Sequence, residues 1–370
     1  MRLYPGEEAR AWDPLKERTG RMMRGTVRKM RLIKTEDAAG HVLCHDMTQI
    51  IPGVSKDARF RKGHIVTEED IPVLLSMGKE SLYVWEKEEG MLHENEAADR
   101  LRLLCQNEYM HPTEVKEGKI ELAADRDGLF CVDVERLYQV NSIDQLMIAT
   151  RHTNTAVKKG DRLAGMRVIP LVIEETKLLE AEKAAGEKPL LALHPWKIQK
   201  AGIITTGSEV YSGRIKDQFT PVVREKMKAY GIDTVSFRLC PDDREQIVEA
   251  ISQMRQEGVE VICCTGGMSV DPDDRTPGAI SASGARMVAY GAPVLPGAML
   301  YVGYFEDGTP ILGLPGCVMY AKATVFDLVL PRIAAGMEIT REDLVRLGHG
   351  GLCLGCGECR YPVCPFGKER

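Results

Sequence analysis

The segment Thr265-Gly266-Gly267-Met268-Ser269-Val270-Asp271-Pro272-Asp273-Asp274-Arg275-Thr276-Pro277 places two glycines and three aspartates directly after an apolar run, 259–264. Carboxylates in this density hold a hard cation such as Mg²⁺ or position a reacting group. The glycines let the backbone turn sharply and approach a ligand closely. Three more segments offer related chemistry: Thr206-Gly207-Ser208-Glu209, Pro241-Asp242-Asp243 and Leu314-Pro315-Gly316. Backbone N–H groups at glycine loops and helix starts bind anions well. Glu209, Asp242, Asp243 and Asp274 beside an anionic ligand make sense only if Mg²⁺ bridges them. Asp242 and Asp243 also have a plainer reading, because acids are common at helix starts. Glu209 and Asp274 each follow a strand–glycine turn, where open α/β sheets place their ligand sites.

A second constellation closes the chain: Cys353-x-x-Cys356-x-x-Cys359-x₄-Cys364-Pro365. Four thiolates so close in sequence, spaced by glycines and prolines, can wrap one metal. The spacing is one residue longer than the bacterial ferredoxin run Cys-x₂-Cys-x₂-Cys-x₃-Cys-Pro, which points to an Fe–S cluster. A tetrahedral zinc is the rival. Unligated thiols are the third reading, disfavoured because exposed cysteines oxidise readily.

The elements that must position these residues alternate along 197–336. Segments 201–205, 234–239, 259–264 and 310–314 read as strands. Phe219, Val222, Val223, Met227 and Tyr230 recur at helical spacing, as do Ile247, Ala250, Ile251 and Met254. Such alternation predicts βαβ units and a mostly parallel, doubly wound sheet whose four loops converge on one edge. No Gly-Lys-Ser/Thr Walker loop and no Gly-x-Gly-x-x-Gly fingerprint is present.

The rest of the chain divides by composition. Residues 1–29 read as a basic extension, or as sequence upstream of a start at Met22, Met23 or Met30. Residues 30–90 form a first unit, with a short Thr-capped helix at 35–40 and an acidic helix start at 67–70. Its scattered His45 and His64, with His93 just beyond, read as surface or hydrogen-bonding groups rather than ligands. Residues 91–190 read as a β-rich domain, with strands at 119–123, 129–134, 146–150 and 166–173 after a helix at 94–105. The charged, alanine-rich stretch 180–188 is the linker candidate. Residues 337–370 form a Cys-rich, metal-binding tail.

A chain of 370 residues needs two or three domains. A net charge of −5 argues against nucleic-acid binding, which calls for a broad basic surface. No apolar run approaches a membrane span, and the first thirty residues lack the apolar core of a secretory signal. These features point to a cytoplasmic protein. Its eleven cysteines then serve as core residues or metal ligands rather than disulfides.

Thr206-Gly207-Ser208-Glu209, followed by Gly213, Ile215 and Asp217, resembles the Thr-Gly-Asp-Glu-Leu…Asp-Asn opening of the MoeA/MogA-like molybdopterin-binding domain family. Thr265-Gly266-Gly267 with Asp274 and Thr276 is similar to its Thr-Gly-Gly…Asp-x-Thr loop. Pro296-Gly297 and Leu314-Pro315-Gly316 resemble its Pro-Gly and Leu-Pro-Gly elements. The resemblance spans about 140 residues. It implies a three-layer α/β/α domain that binds molybdopterin with help from Mg²⁺. Its two functional acids carry over to Glu209 and Asp274. The implied ligand-binding set is Thr206, Gly207, Ser208, Asp217, Asp242, Asp243, Thr265, Gly266, Gly267, Ser269, Thr276, Pro296, Gly297, Leu314, Pro315 and Gly316.

Glu36-Asp37-Ala38-Ala39-Gly40-His41-Val42-Leu43 with His45-Asp46 resembles the start of the molybdopterin molybdenumtransferases. Lys62-Gly63-His64-Ile65-Val66 through Tyr83-Val84 resembles the segment that runs into their binding domain. The Ser-x-x-Asp-Gly-Tyr-Ala loop that carries a functional Asp in those enzymes is absent. Pro277 stands where they usually have Lys, and Cys317-Val318 replaces Asn-Pro. Two functions are therefore expected to compete. One is a transferase that adds molybdate to molybdopterin, or to its adenylylated form. The other is a non-catalytic carrier or insertion protein that meets a molybdoenzyme or another cofactor-biosynthesis protein. A homo-oligomer is expected in either case. A dinucleotide-dependent oxidoreductase fails on the missing fingerprint.

Overall fold

The structure is a computed structural model and describes residues 30–44, 46–51, 55–85, 90–116, 118–269 and 274–368. The expected basic extension, His45, Asp271 and Asp273 lie outside the described residues. The chain divides into two compact units, one ending at Met91 and the other running Leu92–Arg370.

In the first unit, Ser81–Trp85 pairs antiparallel with both Met30–Lys34 and Val42–Leu43. Met47–Ile51 pairs with Ser55–Phe60 as a separate ribbon. Leu43, Phe60, Val66, Leu74 and Leu82 form a small core. The expected Thr-capped helix at 35–40 is a single 3₁₀ turn, Thr35–Asp37. Thr35 is buried and its hydroxyl donates to the Lys79 carbonyl instead of capping a helix.

The second unit takes in both blocks expected at 91–190 and 197–336. Its first part holds a four-stranded antiparallel sheet: Leu146–Thr150, Arg162–Val168, Lys119–Ala124 and Met110–Pro112, in that order. Three helices, Glu94–Cys105, Val134–Asn141 and Glu175–Ala185, pack into the same core. The region is therefore mixed rather than simply β-rich. The linker expected at 180–188 is largely the last of these helices. Leu178, Ala181 and Ala185 bury its inner face, and small alanines gave that face little sequence signal.

The second part carries a six-stranded sheet: β1 (Lys200–Thr206), β2 (Asp233–Cys240), β3 (Val261–Thr265), β4 (Arg286–Tyr290), β5 (Tyr301–Tyr304) and β6 (Pro310–Leu314). The strand order is β2-β1-β3-β6-β5-β4. β2, β1, β3 and β6 run parallel. β5 and β4 reverse direction. Three of its five pairings are parallel and two antiparallel, so the expected parallel core is present but the far edge is not parallel. This sheet is mixed, and strand pairing over the described residues is mostly antiparallel.

The longer helices beside the sheet are α1 (Phe219–Lys228), α2 (Arg244–Gln256), α3 (Thr276–Ala282) and α4 (Val325–Ala334), and a one-turn helix, Ser208–Tyr211, follows β1. Strand side chains alternate between two cores. Ile203, Val261, Cys263 and Leu312 pack with Val223 and Met227 of α1 and Phe326 and Leu330 of α4. Ile204, Ile262, Cys264 and Ile311 pack with Ile247, Ile251 and Met254 of α2 and Ile280 of α3. β1 and β3 are apolar on both faces for this reason.

The expected separate tail is also corrected. Phe366 is 4% exposed and belongs to the α1/α4 core. The Tyr361 hydroxyl donates to the Asp327 carbonyl of α4 at 2.8 Å. Arg332 of α4 pairs with Asp343 at 2.8 Å. The last thirty residues fold back onto the sheet unit.

Candidate functional site

Parallel register brings the chemically interesting loops together. Thr206 lies opposite Cys240, Thr205 opposite Thr265, and Thr265 opposite Leu314. The loops after β1, β2, β3 and β6 therefore leave one edge of the sheet, at the carboxyl ends of the strands. That edge is where open α/β sheets bind ligands.

Beneath the loops lies a buried hydroxyl network. Thr205 Oγ1 is 3.0 Å from both Thr220 Oγ1 and Thr265 Oγ1. Thr206 Oγ1 lies 3.0 Å from Thr276 Oγ1 and donates to the Thr265 carbonyl at 3.2 Å. All five threonines are buried. Thr206 and Thr276 thus satisfy each other, Thr205 satisfies Thr265, and together they lock the loops; their side chains are buried. Leu314 is likewise a core residue.

The acids divide by role. Asp217 Oδ1 accepts from the N–H groups of Phe219 and Thr220, at 2.8 and 3.1 Å, and holds the start of α1. Asp243 caps α2 by accepting from Gln246 N–H at 2.9 Å. Asp242 accepts from Ser208 N–H at 2.8 Å and Ser208 Oγ at 3.0 Å, tying the first loop to the second. Among the described residues, no hydrogen bond or ion pair engages the Glu209 or Asp274 carboxylate.

A pocket of about 620 Å³ opens at this edge. From the expected set it gathers Gly266, Gly267, Ser269, Asp274, Gly297, Pro315 and Gly316. Thr206, Gly207, Ser208, Glu209, Asp217, Asp242, Asp243, Thr265, Thr276, Pro296 and Leu314 do not line it. Gly266 has φ +84° and Gly267 φ +51°, a left-handed turn that carries the backbone along the pocket wall. Phe219, Met268, Met299, Met319 and Tyr320 supply the apolar wall that sequence reasoning missed. Tyr290 was missed as well. Its hydroxyl donates to the Met268 carbonyl at 2.8 Å and pins the glycine loop. Burial, and then the Asp274 charge, push the Tyr290 phenol up, so it stays a donor.

Among the described residues, no three His, Cys, Asp or Glu side chains converge as a ready metal site. The four tail cysteines, Cys353, Cys356, Cys359 and Cys364, do line one cavity of about 280 Å³. No described helix is long and apolar enough to cross a membrane.

Residues 202–335 match a family model described as a probable molybdopterin binding domain. This part of the chain belongs to the molybdopterin-binding domain family. Residues 32–86 match a family described as a domain of unknown function. A molybdopterin molybdenumtransferase from Synechococcus elongatus is 25% identical over 189 residues, 49% of this chain and 45% of that protein. A CinA-like protein from Mycobacterium tuberculosis is 31% identical over 77 residues, 21% of this chain and 18% of that protein. The chain thus spans less than half the length of these two relatives. Among solved structures, the molybdopterin biosynthesis enzyme MoaB from Thermus thermophilus is 25% identical, with a TM-score of 0.34 over 37% of this chain and 92% of that one. The family-matched stretch begins within β1, contains β2 to β6 and includes every residue that lines the pocket.

Proposed function

We propose that this protein binds molybdopterin, or its adenylylated form, in the 620 Å³ pocket and acts in molybdenum cofactor biosynthesis. The observation that carries the reading is the convergence of Gly266, Gly267, Gly297, Pro315, Gly316 and Asp274 on one pocket inside the family-matched stretch. Backbone at the glycines gives an anionic group close approach. Phe219, Tyr320 and three methionines offer polarisable, apolar surface that suits a planar, sulfur-bearing ligand. The helices packed on both faces of the sheet support the three-layer α/β/α reading of this part.

Glu209 and Asp274 are the carboxylates available for Mg²⁺, since Asp242 is engaged by Ser208 and Asp243 by α2. Asp274 lines the pocket and Glu209 does not, so Asp274 would be the carboxylate that holds Mg²⁺ together with substrate phosphates and water. When bound, the ion neutralises phosphate charge and polarises the bonds around it. The chain's own part is to orient the ligand against the glycine loops, while Tyr290 holds the Met268 carbonyl in place.

The catalytic reading is Mg²⁺-dependent insertion of molybdate. The second reading, a carrier that hands molybdopterin to a partner, is favoured by the missing Ser-x-x-Asp-Gly-Tyr-Ala loop and by Pro277 in the Lys position. Incubating the full chain with molybdopterin, Mg²⁺ and molybdate separates them. Active cofactor supports the transferase, and ligand retention without product supports the carrier. Neither binding nor product sinks both.

Asp274→Ala and Glu209→Ala are expected to cost less than about 1 kcal/mol of stability, because Asp274 is a loop carboxylate and Glu209 an exposed residue of the one-turn helix Ser208–Tyr211, both outside the cores. Each should weaken Mg²⁺-dependent binding about tenfold, equivalent to about 1.4 kcal/mol. Ligand titrations with Mg²⁺ and with chelator check this. Unchanged affinity in both variants would return the two acids to the status of solvated residues.

A further inference from the structure

The tail cysteines take no part in the pocket, yet their surroundings are built for one purpose. Lys322 and Arg360 border the cavity that the four thiols share, and no carboxylate does. Two cations without an acid complement thiolates, the form of cysteine that ligates metals. The frame around them is fixed. Cys353 N–H donates to the Leu295 carbonyl at 2.8 Å, and Leu295 N–H donates to the Gly351 carbonyl at 2.8 Å. Tyr361 is tied to Asp327, and Phe366 is buried. Between these anchors, residues 354–359 make no hydrogen bond among the described residues, and Cys356 and Cys359 are exposed. The turn that carries two of the thiols can therefore move without breaking a hydrogen bond among the described residues.

We propose that Cys353, Cys356, Cys359 and Cys364 bind one thiophilic metal centre, the 356–359 turn closing on it. Thiolates are soft ligands, and four of them suit an Fe–S cluster or zinc. Metal sites of this kind are rarely preformed and are completed by the metal itself, consistent with thiols that share a cavity without yet converging. The cavity also abuts the ligand pocket. Pro296 and Ala321 border the cavity, while their neighbours Gly297 and Tyr320 border the pocket. Loading the centre thus fixes the segments that flank the pocket, whatever ligand that pocket takes.

The test uses the full chain, purified anaerobically and without any pterin. Metal and acid-labile sulfide are assayed as purified, after reconstitution with ferrous iron and sulfide, and after addition of zinc. An Fe–S centre gives a brown protein with iron and sulfide in about equal amounts, and zinc gives a colourless one with about one metal per chain. The double variant Cys356→Ser, Cys359→Ser should lose metal affinity by at least about tenfold, while Cys131→Ser keeps it. Alkylation mapping of the wild-type chain serves even if the double variant fails to fold. Metal should protect these four thiols and leave the pattern at the other cysteines unchanged. Absence of metal under all three conditions, full retention in the folded double variant, or protection of a different set of thiols overturns the proposal.

Discussion

Replacing Gly266 with valine is expected to destabilise the second unit by about 3 kcal/mol or more and to abolish ligand binding. Gly266 has φ +84°, a conformation that a β-branched residue adopts only under strain. A side chain there would also collide with the backbone carbonyl of Thr206 and come within 2.9 Å of its hydroxyl. The carbonyl belongs to β1, the strand next to β3, and cannot swing aside. The Thr206–Thr265–Thr276 hydroxyl network would open, leaving buried polar groups unpaired. Thermal melting reads the effect, at roughly 2–4 °C per kcal/mol for a domain of this order of size. A variant that melts with the wild type would show that the loop packs differently from the arrangement described.

Phe366→Ala is expected to cost about 3–5 kcal/mol, the range for emptying a buried aromatic site. Phe366 lies in the core formed by β1, β3, β6, α1 and α4, and its ring meets Tyr361 edge-on at 6.2 Å between centroids. Denaturant unfolding of the full chain measures the loss. A midpoint unchanged from wild type would restore the view of the last thirty residues as a detachable tail. The same packing means that truncation at Gly351 should unfold the sheet unit.

The pocket edge was legible because β1, β3 and β6 are buried on both faces. Their continuous apolar runs end in Thr-Gly or Leu-Pro-Gly, and a strand buried on both faces writes itself plainly in sequence. β4 and β5 were not legible. Met287 and Tyr290 of β4 are exposed, so the strand lacks an apolar run, and Pro296-Gly297 obscures the approach to β5. Missing them hid the antiparallel edge of the sheet. α3 was hidden by Thr276-Pro277-Gly278, whose residues read as loop. The tail hid its anchorage because one phenylalanine among glycines, prolines and cysteines has no period to detect.

Within the site, residue type alone could not tell a ligand-facing hydroxyl from a structural one. Thr206, Thr265 and Thr276 look alike in either role; the register of β1 on β3 sets Thr265 against Thr205, and the start of α3 brings Thr276 to Thr206. The same holds for Asp217 and Asp243, whose capping bonds were foreseeable as an alternative. Phe219, Met299, Met319 and Tyr320 gave no warning, since an apolar side chain on a loop or at a helix start carries no chemical signature.

Gly316 provides the most direct test of the pocket. It lines the pocket, and a Cβ added there would meet no atom within 4 Å. Gly316→Leu should therefore fold with a stability change below about 1 kcal/mol while filling the space the ligand needs. Titrating wild type and Gly316→Leu with molybdopterin in the presence of Mg²⁺ is the measurement. The expected result is binding by the wild-type chain and an affinity at least about tenfold lower in the variant, with matching melting curves. Equal affinity in the two proteins, or no binding by either, would contradict the assignment of this pocket to molybdopterin.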